Sequence, residues 1–462
     1  MVKRKESMSV EDRLAAALVP EEEWPYEIPE NWLWTKIGSL TDVIGGGTPS
    51  TSVPEYYNEG TIPWLSPADL SDYEDIYISQ GAKNITTLGL EKSSARLLPM
   101  GTVCLSSRAP IGYVVITQNP LSTNQGFKSF PPSPSFLPEY LYWYLKGNKP
   151  LLESRASGTT FLELSGRKAA EIELPLPPLP EQHRIVNQIE SSFAKLDEIA
   201  EEAQAVIDGY ENRKAAILHR AFTGELTEEW RLKSHISDEC WHTQLFSSII
   251  VSGPQNGLYK SKDSYGQGYR ILRVDGFYDG WIEPWDTLKR LSLTQEELKL
   301  YQLNIGDIIV NRVNSMPYLG KSALIRELPE PCVFESNMMR IVINIDQAVP
   351  EYITRYLNSP LGLSELRKNA KQAINQASIN QKDVGNVLIP LPPLPEQHEI
   401  VRRLDTILAA EAATKVAAEA TLENITTLRQ SILARAFRGE LGTNDPNDEP
   451  AIELLKRTLL AN

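Results

Sequence analysis

With 462 residues, the chain is long enough for about three domain-sized pieces, each able to bury a core. Its hydrophobic (41%) and charged (23%) fractions are those of ordinary globular protein, and no run of about 18 apolar residues offers a membrane span. The formal charge of −14, from 46 basic and 60 acidic side chains, argues against a uniformly basic nucleic-acid-binding surface and leaves room only for a local basic face.

Acidic side chains gather at Glu21-Glu22-Glu23, Asp197-Glu198, Glu201-Glu202 and Glu228-Glu229, so basic loops elsewhere are compatible with the total. An acidic total also implies that a partner supplies much of any phosphate contact. The basic start, Met1 to Lys5, runs into Glu6, Glu11 and Asp12 instead of an apolar core, unlike a signal peptide. Cys104, Cys240 and Cys332 stand alone, which excludes a C-x-x-C metal site and a disulfide framework and fits a reducing cytoplasm.

In chain order, residues 1–30 read as an arm with a short helix from Val10 to Leu18. Residues 31–174 read as a mixed α/β domain, with β-like runs Val103–Leu105 and Tyr113–Ile116 and a helical stretch from Pro138 to Leu145. The Gly-rich segment Gly45-Gly46-Gly47-Thr48-Pro49-Ser50-Thr51 lacks the Gly-Lys-Ser/Thr end of a phosphate loop and reads as a turn. Pro175 to Pro180 holds the backbone extended, and residues 181–222 then read as one helix of roughly 63 Å. A second globular domain follows at 231–389, and residues 390–462 hold a second long helix and a C-terminal tail.

Within the segment 175–230, residues 175–226 repeat. Pro175-Leu176-Pro177-Pro178-Leu179-Pro180-Glu181-Gln182-His183 returns at Pro390–His398, an offset of 215 residues. The offset holds without a gap to Gly224-Glu225-Leu226 and Gly439-Glu440-Leu441. That is far longer than a solenoid unit and reads as a duplicated domain plus connector, one chain mimicking a two-fold dimer. Apolar residues at alternating steps of three and four give each helix a coiled-coil seam. The seam takes Ile189, Phe193, Leu196, Ile207 and Tyr210 in the first helix, and Leu404, Leu408, Leu422 and Ile425 in the second. Glu411 and Lys415 interrupt the second seam, which predicts a looser pairing there.

Between the helices the copies have drifted. Gly101–Leu105 resembles Gly306–Val310, Ile111-Gly112 resembles Leu319-Gly320, and Pro138-Glu139-Tyr140 returns as Pro350-Glu351-Tyr352, at offsets that vary. Fixed helices with divergent domains suggest fixed geometry with independent surface chemistry. No catalytic site is legible: Asn119-Pro120-Leu121 only faintly echoes an adenine-methyltransferase loop, His183 and His398 read as capping or packing residues, and the five histidines form no metal set.

Donor-rich loops remain at matching places. In the first domain these are Ser106, Ser107 and Arg108, then Asn124, Gln125 and Lys128. In the second they are Asn311, Arg312, Asn314 and Ser315, then Lys321, Ser322 and Asn337. Arg, Asn, Gln and Lys read base edges and Ser contacts phosphate, so these loops are candidates for DNA binding. Arg108 and Arg312 are expected near DNA on their matching positions after Gly101 and Gly306.

The repeated Pro-Leu-Pro-Pro-Leu-Pro-Glu-Gln element, each copy starting a helix that ends in Ala-Phe-x-Gly-Glu-Leu, resembles the specificity (S) subunit of type I restriction–modification systems. The likeness extends over essentially the whole chain. It implies an α+β fold in which two target-recognition domains are separated by an antiparallel pair of long helices with a pseudo-two-fold repeat. It further implies that each domain reads half of a bipartite, asymmetric double-stranded DNA target, while the helices set the spacer. Two methyltransferase (modification) subunits would dock on those helices, and restriction subunits would complete an ATP-dependent nuclease. On this reading the chain is non-catalytic and cytoplasmic, binds no cofactor or metal, and leaves S-adenosylmethionine, ATP and Mg to its partners. The competing reading is a coiled-coil scaffold that presents two protein-binding heads.

Overall fold

The computed structural model describes residues 9–461 apart from 159–161, 238–239, 278–279, 283, 375 and 443, so the basic start of the chain lies outside it. The chain forms two compact units, Met1–Glu202 with Thr421–Asn462, and Ala203–Ala420. Each contains one globular domain, the start of one long helix and the end of the other. Among the described residues no helix is long and apolar enough to cross a membrane.

In the first unit a five-stranded sheet runs in the order Ile44–Gly45, Phe127–Phe130, Val103–Ser107, Ile111–Thr117, Tyr77–Ile78. Its central strand is apolar at successive positions because both faces are covered. Val103 and Leu105 pack with Ile116 and the helix Pro138–Gly147, while Cys104 packs with Val115 and Phe127 on the other side. A three-stranded sheet, Lys83–Ile85, Ile62–Leu65 and Ser122–Thr123, flanks it. Within Gly45–Thr51 the turn comes only at the end, where the Val53 amide donates to the Ser50 carbonyl (3.2 Å), and Gly45–Gly47 precedes it. The segment is extended there, and a side chain at Gly46 would collide with the Thr123 and Asn124 carbonyls, so glycine is required by close approach.

The second unit repeats this plan. Ile250–Asn256, Met338–Ile343, Ile308–Asn311 and Ser322–Leu324 form a four-stranded sheet. Ile308 and Val310 face the helix Pro350–Asn358, and Ile309 faces the opposite core with Met338 and Phe334. Strand register confirms the alignment: Leu105 pairs with Lys128 as Val310 pairs with Met339. Gly101 and Gly306 both adopt positive φ (79° and 93°), as do Gly112 and Gly320 (101° and 78°), which explains why glycine stands at both copies.

The helix-to-strand anchors are the same in both units. Each Pro-rich segment pairs antiparallel with the first strand of its domain, Glu173–Leu176 with Leu33–Lys36 and Leu388–Leu391 with His242–Leu245. Tyr140 and Tyr144 donate their hydroxyls to the Pro175 and Glu173 carbonyls (2.7 and 2.6 Å). Tyr352 and Tyr356 do the same to Pro390 and Leu388 (2.7 and 2.6 Å). Phe437, from the end of the second helix, lies edge-on to Tyr140 and Tyr144; Phe222, from the end of the first, lies edge-on to Tyr352 and Tyr356. Glycines with positive φ, Gly224 and Gly439, follow the two helix ends, as a left-handed helix stop requires.

The expected single helix over 181–222 runs as Leu179–Asp208 and Tyr210–Phe222, loosened at Gly209. There the Arg213 guanidinium donates to the Val206 carbonyl (2.9 Å), taking over one helical acceptor. The second helix is continuous from Leu394 to Phe437, about 66 Å over its 44 residues. The C-terminal tail holds a further helix, Ala451–Ala461, that packs beside Val10–Ala17 and buries Ala451 and Leu455 in the first core.

Candidate nucleic-acid interface

The repeated Glu-Gln dipeptide fixes each domain to its helix. Gln182, fully buried, donates to the Ser135 and Pro177 carbonyls (2.9 and 3.0 Å) and accepts from the Leu137 amide (2.9 Å), the residue that opens the helix Pro138–Gly147. Gln397 makes the same set with the Gln347 and Pro392 carbonyls (3.1 and 2.8 Å) and the Val349 amide (2.8 Å). Glu396 accepts from Arg231 (2.6 Å), Thr227 (2.7 Å) and Trp241 (3.0 Å), and Glu181 from Arg184 (2.7 Å) and the Asn444 amide (3.1 Å). The chain that leaves one helix therefore locks the start of the other. His183 and His398 are exposed and serve neither as caps nor as packing residues.

Along the seam Ile189 and Leu404 are fully buried, Ile425 is buried, and Phe193, Leu196, Ile207, Tyr210, Leu408 and Leu422 are half-buried. The charged interruptions have partners. Glu411 accepts from Arg213 (2.8 Å), Lys415 lies 5.1 Å above the Tyr210 ring, and Arg429 pairs with Asp197 while lying 5.3 Å from the Phe193 ring. Half-exposed ion pairs of this kind add at most about 1 kcal/mol each, so they set register more than strength.

In the first domain, three loops converge: the turn after Val103–Ser107, the loop 122–128, and the extended glycines Gly45–Gly47. Ser106 and Ser107 are buried and shape these loops; they are corrected from candidate phosphate contacts. Ser106 donates to the Pro110 carbonyl (2.7 Å) and accepts from the Tyr113 amide (2.8 Å), and Ser107 donates to the Gly126 carbonyl (3.0 Å). Lys128 is also buried. Its Nζ lies 3.2 Å from Ser107 Oγ and 3.6 Å from Glu163, and burial lowers its pKa from the usual lysine value. Asn124 turns its side-chain oxygen onto the Gly126 amide (2.8 Å), whereas Gln125 is exposed beside Thr48 and Arg108 is half-exposed. The outward-facing set is therefore Arg108 and Gln125.

In the second domain Ser322 is buried, donating to the Gly320 carbonyl (2.9 Å), and Asn311 is wholly buried, so both are corrected to interior positions. Lys321 lies 4.7 Å above the Phe277 ring, and Asn314 caps the Ser315 amide (2.8 Å). Arg312 is half-buried, with Nη1 on the Ser336 carbonyl (3.2 Å) and its backbone amide on the Asn337 carbonyl (2.8 Å). It lines a small groove of about 300 Å³ with Asn256, Asn380, Gln381 and Lys382.

The matched pair proposed from sequence, Arg108 and Arg312, does not hold. The Ser107 amide bonds to the Gly126 carbonyl and its carbonyl to the Leu164 amide; Arg312 bonds in the same way to Asn337 and Ile379. Arg312 thus occupies the place of Ser107, and Arg108 that of Val313. A count from Gly101 and from Gly306 already carried this one-residue difference.

Sequence reasoning also missed the hairpin Lys371–Ala373 and Gln376–Ser378, whose second strand pairs with Val313–Asn314 next to Arg312 and whose first strand exposes Lys371 and Gln372. The density of Lys, Asn and Gln over 368–382 was the available signal. Glu163 was missed because its two cationic neighbours lie 35 and 55 residues away in the chain. Among the described residues no group of three or more His, Cys, Asp or Glu is placed to hold a metal.

Comparison with known proteins agrees with this architecture. The type I restriction modification DNA specificity domain matches twice, over residues 29–208 and 256–424, and the chain belongs to that family. The chain is similar to the MjaIX specificity subunit of Methanocaldococcus jannaschii, 35% identical over 284 residues, covering 60% of this chain and 65%, just under two thirds, of that protein. It is similar to the EcoKI specificity subunit of Escherichia coli K12, at 26% over 431 residues and 90% of each chain. Its fold is similar to the HsdS subunit from Thermoanaerobacter tengcongensis, with a TM-score of 0.64 at 21% identity over 90% of this chain and 99% of that one. The chain is thus a DNA specificity component of a type I restriction–modification system and not its catalytic part.

Proposed function

We propose that each domain reads one half of a bipartite, asymmetric sequence in double-stranded DNA, and that the paired helices set the unspecified spacer between the halves. The observation that carries this reading is the contrast between anchors and loops: both domains are tied down by the same hydrogen bonds, yet their outward polar residues differ. Arg108 and Gln125 contact DNA from the first domain. Arg312, Asn314, Ser315, Lys321 and Asn337 form the reading loops of the second, joined by Lys371 and Gln372.

Two methyltransferase subunits dock on the long helices, and restriction subunits join that core in the cytoplasm. A groove of about 790 Å³ in the second unit, lined by Tyr210 and Lys214, by Asp405 and Leu408, and by Trp281 and Arg355 of the domain, supports docking at the helix–domain junction. S-adenosylmethionine, ATP and Mg belong to those partners. The acidic total of this chain agrees with partners that clamp much of the phosphate backbone.

The test is methylome sequencing of cells that express the chain with its modification subunit. A split motif is expected, and Arg312→Ala should relax one position of one half-site at a cost of about 1–3 kcal/mol, whereas a phosphate contact would weaken all sequences alike. An unchanged motif and unchanged methylation with Arg312→Ala would remove that residue from the reading set. Loss of complex assembly without any sequence preference would favour a scaffold that grips proteins.

A further inference from the structure

We propose that Glu163 and Lys128 are positioning residues that hold Arg108 in its reading geometry, so that half-site choice by the first domain depends on a carboxylate that does not itself contact DNA. This rests on the reading of Arg108 as a DNA contact. Glu163 bridges two cations: one oxygen lies 3.6 Å from Lys128 Nζ and the other 3.8 Å from Arg108 Nη1. The height of the carboxylate is set by backbone. Glu163 and Ser157 exchange amide–carbonyl bonds (3.0 and 3.1 Å), and the next residue, Leu164, donates to the Ser107 carbonyl (2.9 Å), immediately before Arg108.

Lys128 is the fixed end of this chain of charges. Its side chain is only 10% exposed and its Nζ also reaches Ser107 Oγ, so contact with a phosphate would require leaving a formed site. Arg108 and Glu163 are 36% and 43% exposed, and such a pair contributes little to stability. Its effect is to restrict a long side chain before DNA arrives, which lowers the ordering cost of a specific contact. Without Glu163, Lys128 and Arg108 would face each other as like charges, and Arg108 would turn outward.

The second domain provides an internal control. The positions of Ser107, Lys128 and Glu163 are occupied there by Arg312, Met339 and Ser378, and Arg312 is steadied by the neutral Ser336 carbonyl. Charge changes in the first cluster should therefore leave the second half-site untouched.

The experiment uses the assembled complex with the modification subunit, and measures methylation of duplexes altered at each position of both half-sites. Glu163→Gln and Lys128→Met, the latter installing the second domain's own residue, should each raise methylation at one altered position of the first half-site by about three- to tenfold. Both should leave the second half-site and, for Glu163→Gln, the melting temperature unchanged; Glu163→Asp should restore part of the discrimination. These changes lie at or below the lower end of the roughly 5- to 150-fold range of a lost base contact. The inference fails if Arg108→Ala alters specificity while Glu163→Gln does not, or if Lys128→Met weakens all sequences equally and lowers the salt slope by about one, the mark of a phosphate contact. If Arg108→Ala changes nothing, the underlying reading of Arg108 fails first and takes the inference with it.

Discussion

Gln182 and Gln397 make the same three hydrogen bonds in the two copies, and Tyr140 and Tyr352 reach the same proline carbonyl. A short distance away, Ser107, Lys128 and Glu163 of the first domain stand where the second has Arg312, Met339 and Ser378. The difference teaches where the molecule tolerates change. An anchor satisfies buried polar groups whose loss costs about 1–3 kcal/mol each, so a substitution there is felt by the whole unit. A reading loop needs only its backbone bonds preserved, and its side chains are free to diverge.

The anchors themselves are not perfectly alike, and that gives the sharpest test. Position 184 is Arg and its counterpart at 399 is Glu. Arg184 pairs with Glu181 and Asp448 and remains 33% exposed, whereas Glu396 draws on the buried Arg231 from the segment after the first helix. Glu396→Ala should cost about 3–5 kcal/mol in chemical denaturation, because it breaks a buried ion pair by removing a carboxylate that also accepts from Thr227 and Trp241. Glu181→Ala should cost about half as much, since water reaches Arg184. Equal losses would erase the distinction drawn between the two junctions.

Tyr140→Phe and Tyr352→Phe offer the complementary test. Each removes one hydroxyl from a proline carbonyl, and each should lower stability by about 1 kcal/mol, the two values agreeing within error. A clear inequality would break the equivalence of the anchors.

The smallest expected effect is the pH dependence contributed by Glu399, whose counterpart in the first copy is Arg184. Arg402 and then Arg403, both bonded to Glu399, hold its carboxyl down to about 2 from the usual 4.5. A depressed carboxyl pKa contributes stability that is fully present above the unfolded value and lost as pH falls through the folded one. Melting temperature should therefore decline between about pH 4.5 and pH 2. Glu399→Gln should make that decline shallower, and an unchanged profile would show that the arginine pair does not stabilise the fold.

Much of this is legible in the sequence. The 215-residue repeat gave the two helices and their junctions, and glycine at 101, 112, 306 and 320 marked the strands that would superimpose. The reading loops were located but not resolved. Ser106, Ser107, Ser322 and Asn311 look like surface donors in sequence, and burial removed them. Matching Arg108 to Arg312 was off by one residue, as both the count from Gly101 and Gly306 and the hydrogen-bond pattern show.

What the sequence alone determined is the duplicated frame. Helix periodicity, the proline stops and the glycine ends are local rules, and each acts over a few residues regardless of what surrounds it. What only the tertiary structure decided is which polar side chains face outward and who restrains them. The meeting of Glu163 with Lys128 and Arg108, or of Glu396 with Arg231, joins residues 35 to 165 positions apart. Such contacts depend on loop path and burial, which no local pattern encodes.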